Sequence, residues 1–226
     1  MKPIRIRTVL VVTIALLLVT TSFAGARNAN PGVLPPDSRV QGLTYGEWSA
    51  RDEQYILTIP ASQSPFTGAT GTHCIFEQVG NVAMIIGDWA INEPLECQVP
   101  PGTMLFFVIV ANECSTLEPP PWYGGNEAEL RACAQSLVPE NLQASIDGVE
   151  VQNLDQYIFT SPLYEFTVPE DNIFGVPAGS TGESVSYGAW LLLAPLNPGM
   201  HTIYLYGSYP SLGFESVQTY ELTVTR

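Results

Sequence analysis

The sequence predicts an all-β protein: a single antiparallel β-sandwich, jelly-roll or Ig-like, with two short helices, preceded by a cleaved signal peptide. Three observations carry that reading. About ten short runs of β-branched and aromatic residues recur along the chain, separated by Gly, Pro, Asn and Asp turns. Met104–Ala111 (MLFFVIVA) is an apolar run without a charge, closed by Pro100-Pro101-Gly102 before it and Asn112-Glu113 after it, as a strand buried on both faces requires. Four cysteines follow an export leader, which predicts two disulfides.

The leader comes first. Lys2, Arg5 and Arg7 give a basic start, Val9 to Val19 is an apolar core of 11 residues, and Ala24-Gly25-Ala26 supplies the small side chains that signal peptidase accepts. Cleavage after Ala26 leaves 200 residues of the 226, a length that suits one β domain, with no further apolar run long enough to span a membrane. All 22 acidic residues lie beyond the cut, against Arg27, Arg39, Arg51, Arg131 and Arg226, a net charge of −17. Such a chain repels phosphate backbones, so nucleic acid is not an expected partner. The expected location is secreted, periplasmic or at the cell surface.

Residues 27–42, rich in Asn, Pro and Gly, read as a linker or extended lead-in, and 43–226 as the domain. Residues 44–58 read as a helix. Thr44 and Glu47 form a capping box, Trp48 and Tyr55 fall on one face, and Pro60 stops the helix. Residues 61–72 read as a loop. Strands follow at Ile75–Val79, Val82–Ile86, Leu95–Val99 and Thr103–Ala111; the second and third read as neighbours of the apolar run. Pro119 to Gly125 form a loop, and Asn126 with Glu129 caps a helix over Glu127–Leu137. Asp147-Gly148 between Leu142–Ile146 and Val149–Val151 is a type I′ hairpin signal. Tyr157–Thr160, Tyr164–Val168, Ser184–Leu193, His201–Gly207 and Val217–Val224 complete the strands, with Tyr164, Phe166 and Val168 on one face.

The four cysteines allow three pairings. Cys74–Cys97 and Cys114–Cys133 each join segments that read as adjacent, the second pinning the 115–137 excursion to the end of the central strand. No cysteine spacing suits a structural metal site.

Three stretches and a tail carry a resemblance: Thr44 to Arg51 (TYGEWSAR), Ala111-Asn112-Glu113-Cys114, Glu129 to Ala134 (ELRACA), and Pro198-Gly199-Met200-His201-Thr202-Ile203. Together they resemble a family of exported bacterial proteins of unknown function, over most of the chain after the leader. In that family the helix after the YGEWSAR-like motif usually continues with aromatic residues; here it continues Asp52-Glu53-Gln54. The resemblance implies export and a β-rich single domain, and transfers no activity, cofactor or catalytic residue.

The candidate chemistry is sparse. His73 and His201 sit at strand edges, without a nucleophile elbow or a spare thiol near either. Glu170 and Asp171 are loop carboxylates and candidate calcium ligands; no other cofactor is expected. Trp122 and Tyr123, in the proline-rich loop, are candidate ligand-binding rings, since flat rings stack on sugars while carboxylates bind the hydroxyls. Tyr204 and Tyr206 share a strand face and read as packing between the two sheets. The function read from this is an exported non-catalytic module, binding or structural, for a glycan or protein ligand. The alternative is an extracytoplasmic hydrolase acting on glycans through paired carboxylates.

Overall fold

A computed structural model describes residues 30–64, 74–85 and 94–226. The leader at 1–26, His73 and Ile86 lie outside the described residues. Helix α1 (Tyr45–Thr58) starts at the capping box: Glu47 N donates to Thr44 Oγ1 at 3.3 Å, and Thr44 N donates to Glu47 Oε2 at 2.8 Å. It buries Tyr45, Trp48, Ile56 and Leu57, and also Asp52 and Glu53; Tyr55 is only half-buried.

Strands β1 (Ile75–Val79), β2 (Val82–Ile85), β3 (Leu95–Val99) and β4 (Met104–Ser115) come next, then α2 (Glu127–Ala134). β5 (Glu140–Ile146) and β6 (Val149–Glu150) are joined by Asp147-Gly148, both at positive φ (52° and 75°), as a type I′ turn needs. β7 (Ile158–Thr160), β8 (Tyr164–Thr167), β9 (Thr181–Leu193), β10 (Gly199–Tyr209) and β11 (Phe214–Val224) complete the chain. Among the described residues these strands form two packed sheets. Sheet one runs β1-β2-β4-β9-β7, with β8 also on β9; sheet two runs β3-β11-β10-β5-β6. The β-sandwich is as expected, but both sheets are mixed rather than purely antiparallel. β2 pairs β4 in parallel, and β3 pairs β11 in parallel. The cause is a crossover: after β2 the chain lays Leu95–Val99 into sheet two, then returns to sheet one as β4 running the same way as β2. Only one of the two expected neighbours of the apolar run, Val82–Ile85, is therefore hydrogen-bonded to it.

β4 lies between β2 and β9, with Leu105, Phe106, Phe107 and Ile109 wholly buried. Phe107 meets Tyr220 of β11 across the sandwich, with ring centroids 5.1 Å apart. Phe106 faces the other way and meets Trp48 of α1 at 6.2 Å. α1 thus covers the outer face of sheet one. Gly46 permits the close approach, since a Cβ there would lie 2.9 Å from Thr160 O of β7. The β4–β9 register shifts between Val108 and Val110, leaving Ile109 as a bulge. The shift swaps the faces. Val110 turns toward Gly207 of β10, where a Cβ would lie 2.5 Å from Val110 Cγ1, and Glu113 turns outward beneath α1.

Both predicted disulfides form, with Cα separations of 5.5 Å for Cys74–Cys97 and 6.0 Å for Cys114–Cys133. The first staples sheet one to sheet two through β3. The second fixes α2 to the inner side of β4, where Asn112 Nδ2 also donates to Ala134 O at 2.9 Å. The lead-in is packed against the sandwich. Val33 bridges Leu193, and Asn30 Nδ2 donates to Gln152 O at 3.1 Å. No helix among the described residues is long and apolar enough to cross a membrane, and two disulfides fit an oxidising, extracytoplasmic setting.

Candidate functional site

Sheet two has its inner face on the core, and among the described residues its outer face is bare. Strand alternation on β10 buries Ile203 and Leu205 and turns Met200, Thr202, Tyr204 and Tyr206 outward. Tyr204 and Tyr206 are therefore not packed between the sheets, as the sequence reading had them; they lie half-buried on the surface of the module. The antiparallel register sets Ser145 of β5 and Thr219 of β11 on either side of Tyr204, and Gln143 and Val217 on either side of Tyr206. Successive outward residues on one strand are about 7 Å apart, so the two rings form a short aromatic row in a polar field. Glu215 lies near the Tyr206 hydroxyl and, after burial, is a cause of its raised pKa.

Beside Tyr204 the face is concave. A cleft of about 380 Å³ runs between β5 and the segment after β6, lined by Tyr204, Gln143, Ser145, Glu150, Gln152 and Asn153. A smaller hollow of about 290 Å³ lies at the other end of the face, over Glu96, Gln98, Met200, Glu221 and Thr223. Met200 is 79% exposed. A ring, three amides, a hydroxyl and a carboxylate around a cleft can stack on a flat apolar patch and bind hydroxyl groups around it.

The predicted rings sit elsewhere. Trp122 is half-buried against Cys114, Leu130, Ala134 and Val185, so it is part of the wall behind α2. Tyr123 is 48% exposed, on the same loop and away from sheet two. Glu170 and Asp171 are exposed in the loop after β8. Asp171 Oδ2 accepts from Ser62 N at 2.9 Å, and this bond holds its carboxyl below the usual range. Among the described residues no three His, Cys, Asp or Glu side chains meet in a way that would hold a metal ion. His201 binds Asp147 Oδ2 through Nδ1 and Asn197 O through Nε2, both at 2.8 Å. Partial burial pulls its pKa down, but these two acceptors outweigh it and the net shift is upward. The pair ties the β5–β6 turn to β10, with Thr202 N donating to Asp147 Oδ1 at 2.9 Å.

The other chemically unusual region lies under α1. On the outer face of sheet one, β9 presents Ser184, Ser186, Gly188 and Trp190 in alternation, β4 presents Glu113 and Ser115, and β8 presents Tyr164. α1 closes over them with Asp52 and Glu53, which are 2% and 5% exposed. Glu118, on the chain leaving β4, accepts from Ser115 N at 3.1 Å and Ser115 Oγ at 3.2 Å. Glu113 hydrogen-bonds Glu118, and Ser184 Oγ donates to Glu113 Oε2 at 2.7 Å. Burial, then the neighbouring carboxylates, raise the pKa of Glu53 and Glu113. For Asp52 burial and Glu77 outweigh the Trp190 N–H, and for Glu118 burial outweighs its hydrogen bonds. The sequence analysis missed this cluster. Asp52 and Glu53 read as a departure from an aromatic pattern, and Glu113 reached the compartment only through the bulge in β4.

No family model matches the chain, and no curated protein does. Two solved structures show a loose likeness. One is a cysteine protease inhibitor from Entamoeba histolytica, 15% identical, with a TM-score of 0.22 over 57% of this chain and 85% of that one. The other is amebosin, 10% identical, with a TM-score of 0.22 over 65% of this chain and all of that one. At these scores neither likeness carries an argument about this chain.

Proposed function

We propose that the protein is an exported, non-catalytic β-sandwich module that presents the bare face of sheet two to a glycan. The observation that carries this reading is the row Tyr204–Tyr206 beside the cleft of Gln143, Ser145, Glu150, Gln152 and Asn153. The rings supply flat apolar area at low conformational cost, and the amides and carboxylate supply directional partners for hydroxyls. The two disulfides and the continuous core hold that face rigid, which keeps the cost of ordering a binding surface low.

The hydrolase alternative asks for two carboxyls about 5 Å apart or more, with the scissile bond between them. Glu113 and Glu118 instead act on each other's protonation as direct neighbours. Two carboxyls in contact do not hold a glycosidic bond between them, and this favours the non-catalytic reading.

A glycan array followed by calorimetry tests the proposal. Wild type should bind at least one glycan class without turnover. Tyr204→Ala and Tyr206→Ala should each weaken that binding about 10-fold with the fold intact. Binding that survives both substitutions would move the site elsewhere, with Tyr123 the next ring to examine. Turnover of an arrayed glycan would overturn the non-catalytic reading.

A further inference from the structure

The bare face of sheet two extends well beyond the cleft at Tyr204. Outward residues of β10 follow one another as Tyr206, Tyr204, Thr202 and Met200, about 20 Å from first to last at the rise of an extended strand. The register carries this line across the sheet in rungs. Tyr204 lies between Ser145 and Thr219, and Ser145 pairs with Glu150 at the cleft. Thr202 pairs with Glu221, and Glu221 with Glu96. Met200 pairs with Thr223, and Thr223 with Gln98. The hollow of about 290 Å³ is formed over these last two rungs. Two concavities therefore sit along one strand, the cleft at the ring end and the hollow at the Met200 end.

The two concavities repeat one chemistry. At the cleft, Tyr204 is accompanied by the Ser145 hydroxyl, the Gln143 amide and the Glu150 carboxylate. At the hollow, Met200 is accompanied by the Thr223 hydroxyl, the Gln98 amide and the Glu221 carboxylate. Each set is one apolar surface ringed by directional partners for hydroxyl groups. Met200 is 79% exposed, and its unbranched thioether adapts to the flat side of a ligand without a pocket of its own.

Charge narrows the class of ligand. The five strands of sheet two contain Glu96, Glu140, Glu150, Glu215 and Glu221, all exposed, and no Lys or Arg. His201 is the one group in those strands able to carry a positive charge, and Asp147 and Asn197 already hold it. A ligand bearing carboxylates or sulfates would meet only like charge on this face within the electrostatic reach of salt water, about 8 Å. Resting on the reading of this face as a glycan site, we propose that the hollow at Met200 is a second sugar subsite. The face then takes a linear, uncharged oligosaccharide laid along β10, with one part on Tyr206 and Tyr204 and another over Met200. A chain that spans both concavities engages the second at the high effective concentration set by its own length, so affinity grows with chain length.

The test is calorimetry on the purified protein with cello-, manno-, xylo-, malto- and N-acetylated chito-oligosaccharides of two and of six units. Hexagalacturonate at equal ionic strength is the acidic probe. At least one uncharged series should bind, its six-unit member about 10-fold tighter than its two-unit member. Met200→Ala, at a solvent-exposed side chain, should leave the melting temperature and the two-unit Kd unchanged. It should bring the six-unit Kd to within about 3-fold of the two-unit one. Tyr204→Ala should weaken both lengths, and hexagalacturonate should bind about 10-fold more weakly than the best uncharged chain, or not at all. Equal affinity for two and six units, or a gain that survives Met200→Ala, overturns the second subsite. Hexagalacturonate binding as tight as that of the uncharged chains overturns the preference for them. Binding by none of the uncharged series overturns the whole proposal; if the glycan array is blank as well, the glycan reading of the face falls with it.

Discussion

The two outer faces of the sandwich treat the same residue types in opposite ways. On sheet one, α1 lies over three serines, a tyrosine, a tryptophan and carboxylates, and the acids there are desolvated and close to one another. On sheet two none of the described residues lies over Tyr204, Tyr206, Gln143, Glu215 and Glu221, whose side chains are partly or fully exposed. A glutamate under α1 is a liability when ionised, because burial strips the water from its charge. The difference shows that cover, rather than composition, decides which acids of this chain have unusual chemistry.

The sharpest way to break the comparison is to place a charge on each face. Phe106→Asp, under α1 at 0% exposure, should prevent recovery of folded, exported protein, because an unpaired buried charge costs several kcal/mol, on the order of 4 or more. Tyr206→Asp, on the bare face, should be exported at near-normal yield. Equal yields would mean that β4 is not the core strand it is taken to be.

A change of pH probes the same contrast without mutation. The folded pKa values under α1 are raised, Asp52 to about 7 and Glu53 to about 8, with Glu113 and Glu118 raised as well. Raised acids contribute stability that is fully present below their unfolded values near 4 and is lost as pH rises through the folded ones. Chemical denaturation should therefore give a stability lower at pH 8.5 than at pH 4.5 by on the order of 4 kcal/mol. Asp52→Asn should flatten that slope.

The inter-sheet staple ranks next. Replacing Cys74 and Cys97 together by serine should cost about 3 kcal/mol, since the bridge closes a loop of 23 residues. A melt under matched conditions measures it. A loss below about 1 kcal/mol would mean that core packing alone holds the sheets in register.

The smallest contrast concerns two rings. Trp122→Ala should cost about 2 kcal/mol, because that ring packs on Cys114, Leu130 and Val185. Tyr204→Ala should cost under about 0.5 kcal/mol, because its loss leaves no cavity. The reverse ranking would exchange their roles and return Trp122 to the candidate ligand-binding residues.

How much of this was legible in the sequence follows the range of the interaction concerned. The Thr44/Glu47 capping box and the Asp147-Gly148 turn are complete within a few residues, and both read correctly. Both disulfides read correctly too, because each joins segments fewer than 25 residues apart. Leu95–Val99 was recognised as a strand but assigned to the wrong sheet, since its partner is the last strand of the chain. The alternation on β10 was plain, yet it cannot say which face is covered; that depended on where α1 packs. Glu113 was hidden by a single extra residue in β4, because a strict period of two sends it to the interior face and the bulge at Ile109 sends it under the helix.

The parallel pairing of β3 with β11 sets an order of assembly. A chain made from its N-terminus delivers residues 95–99 long before residues 220–224, their hydrogen-bond partners. Sheet two therefore cannot close until residues 220–224 are in place. Cys74 and Cys97, by contrast, emerge close together and can be oxidised early, which tethers β3 to the half-built first sheet. When β11 arrives it docks between β10 and a strand already held in place, so the oxidation of one disulfide prepares a late step of folding.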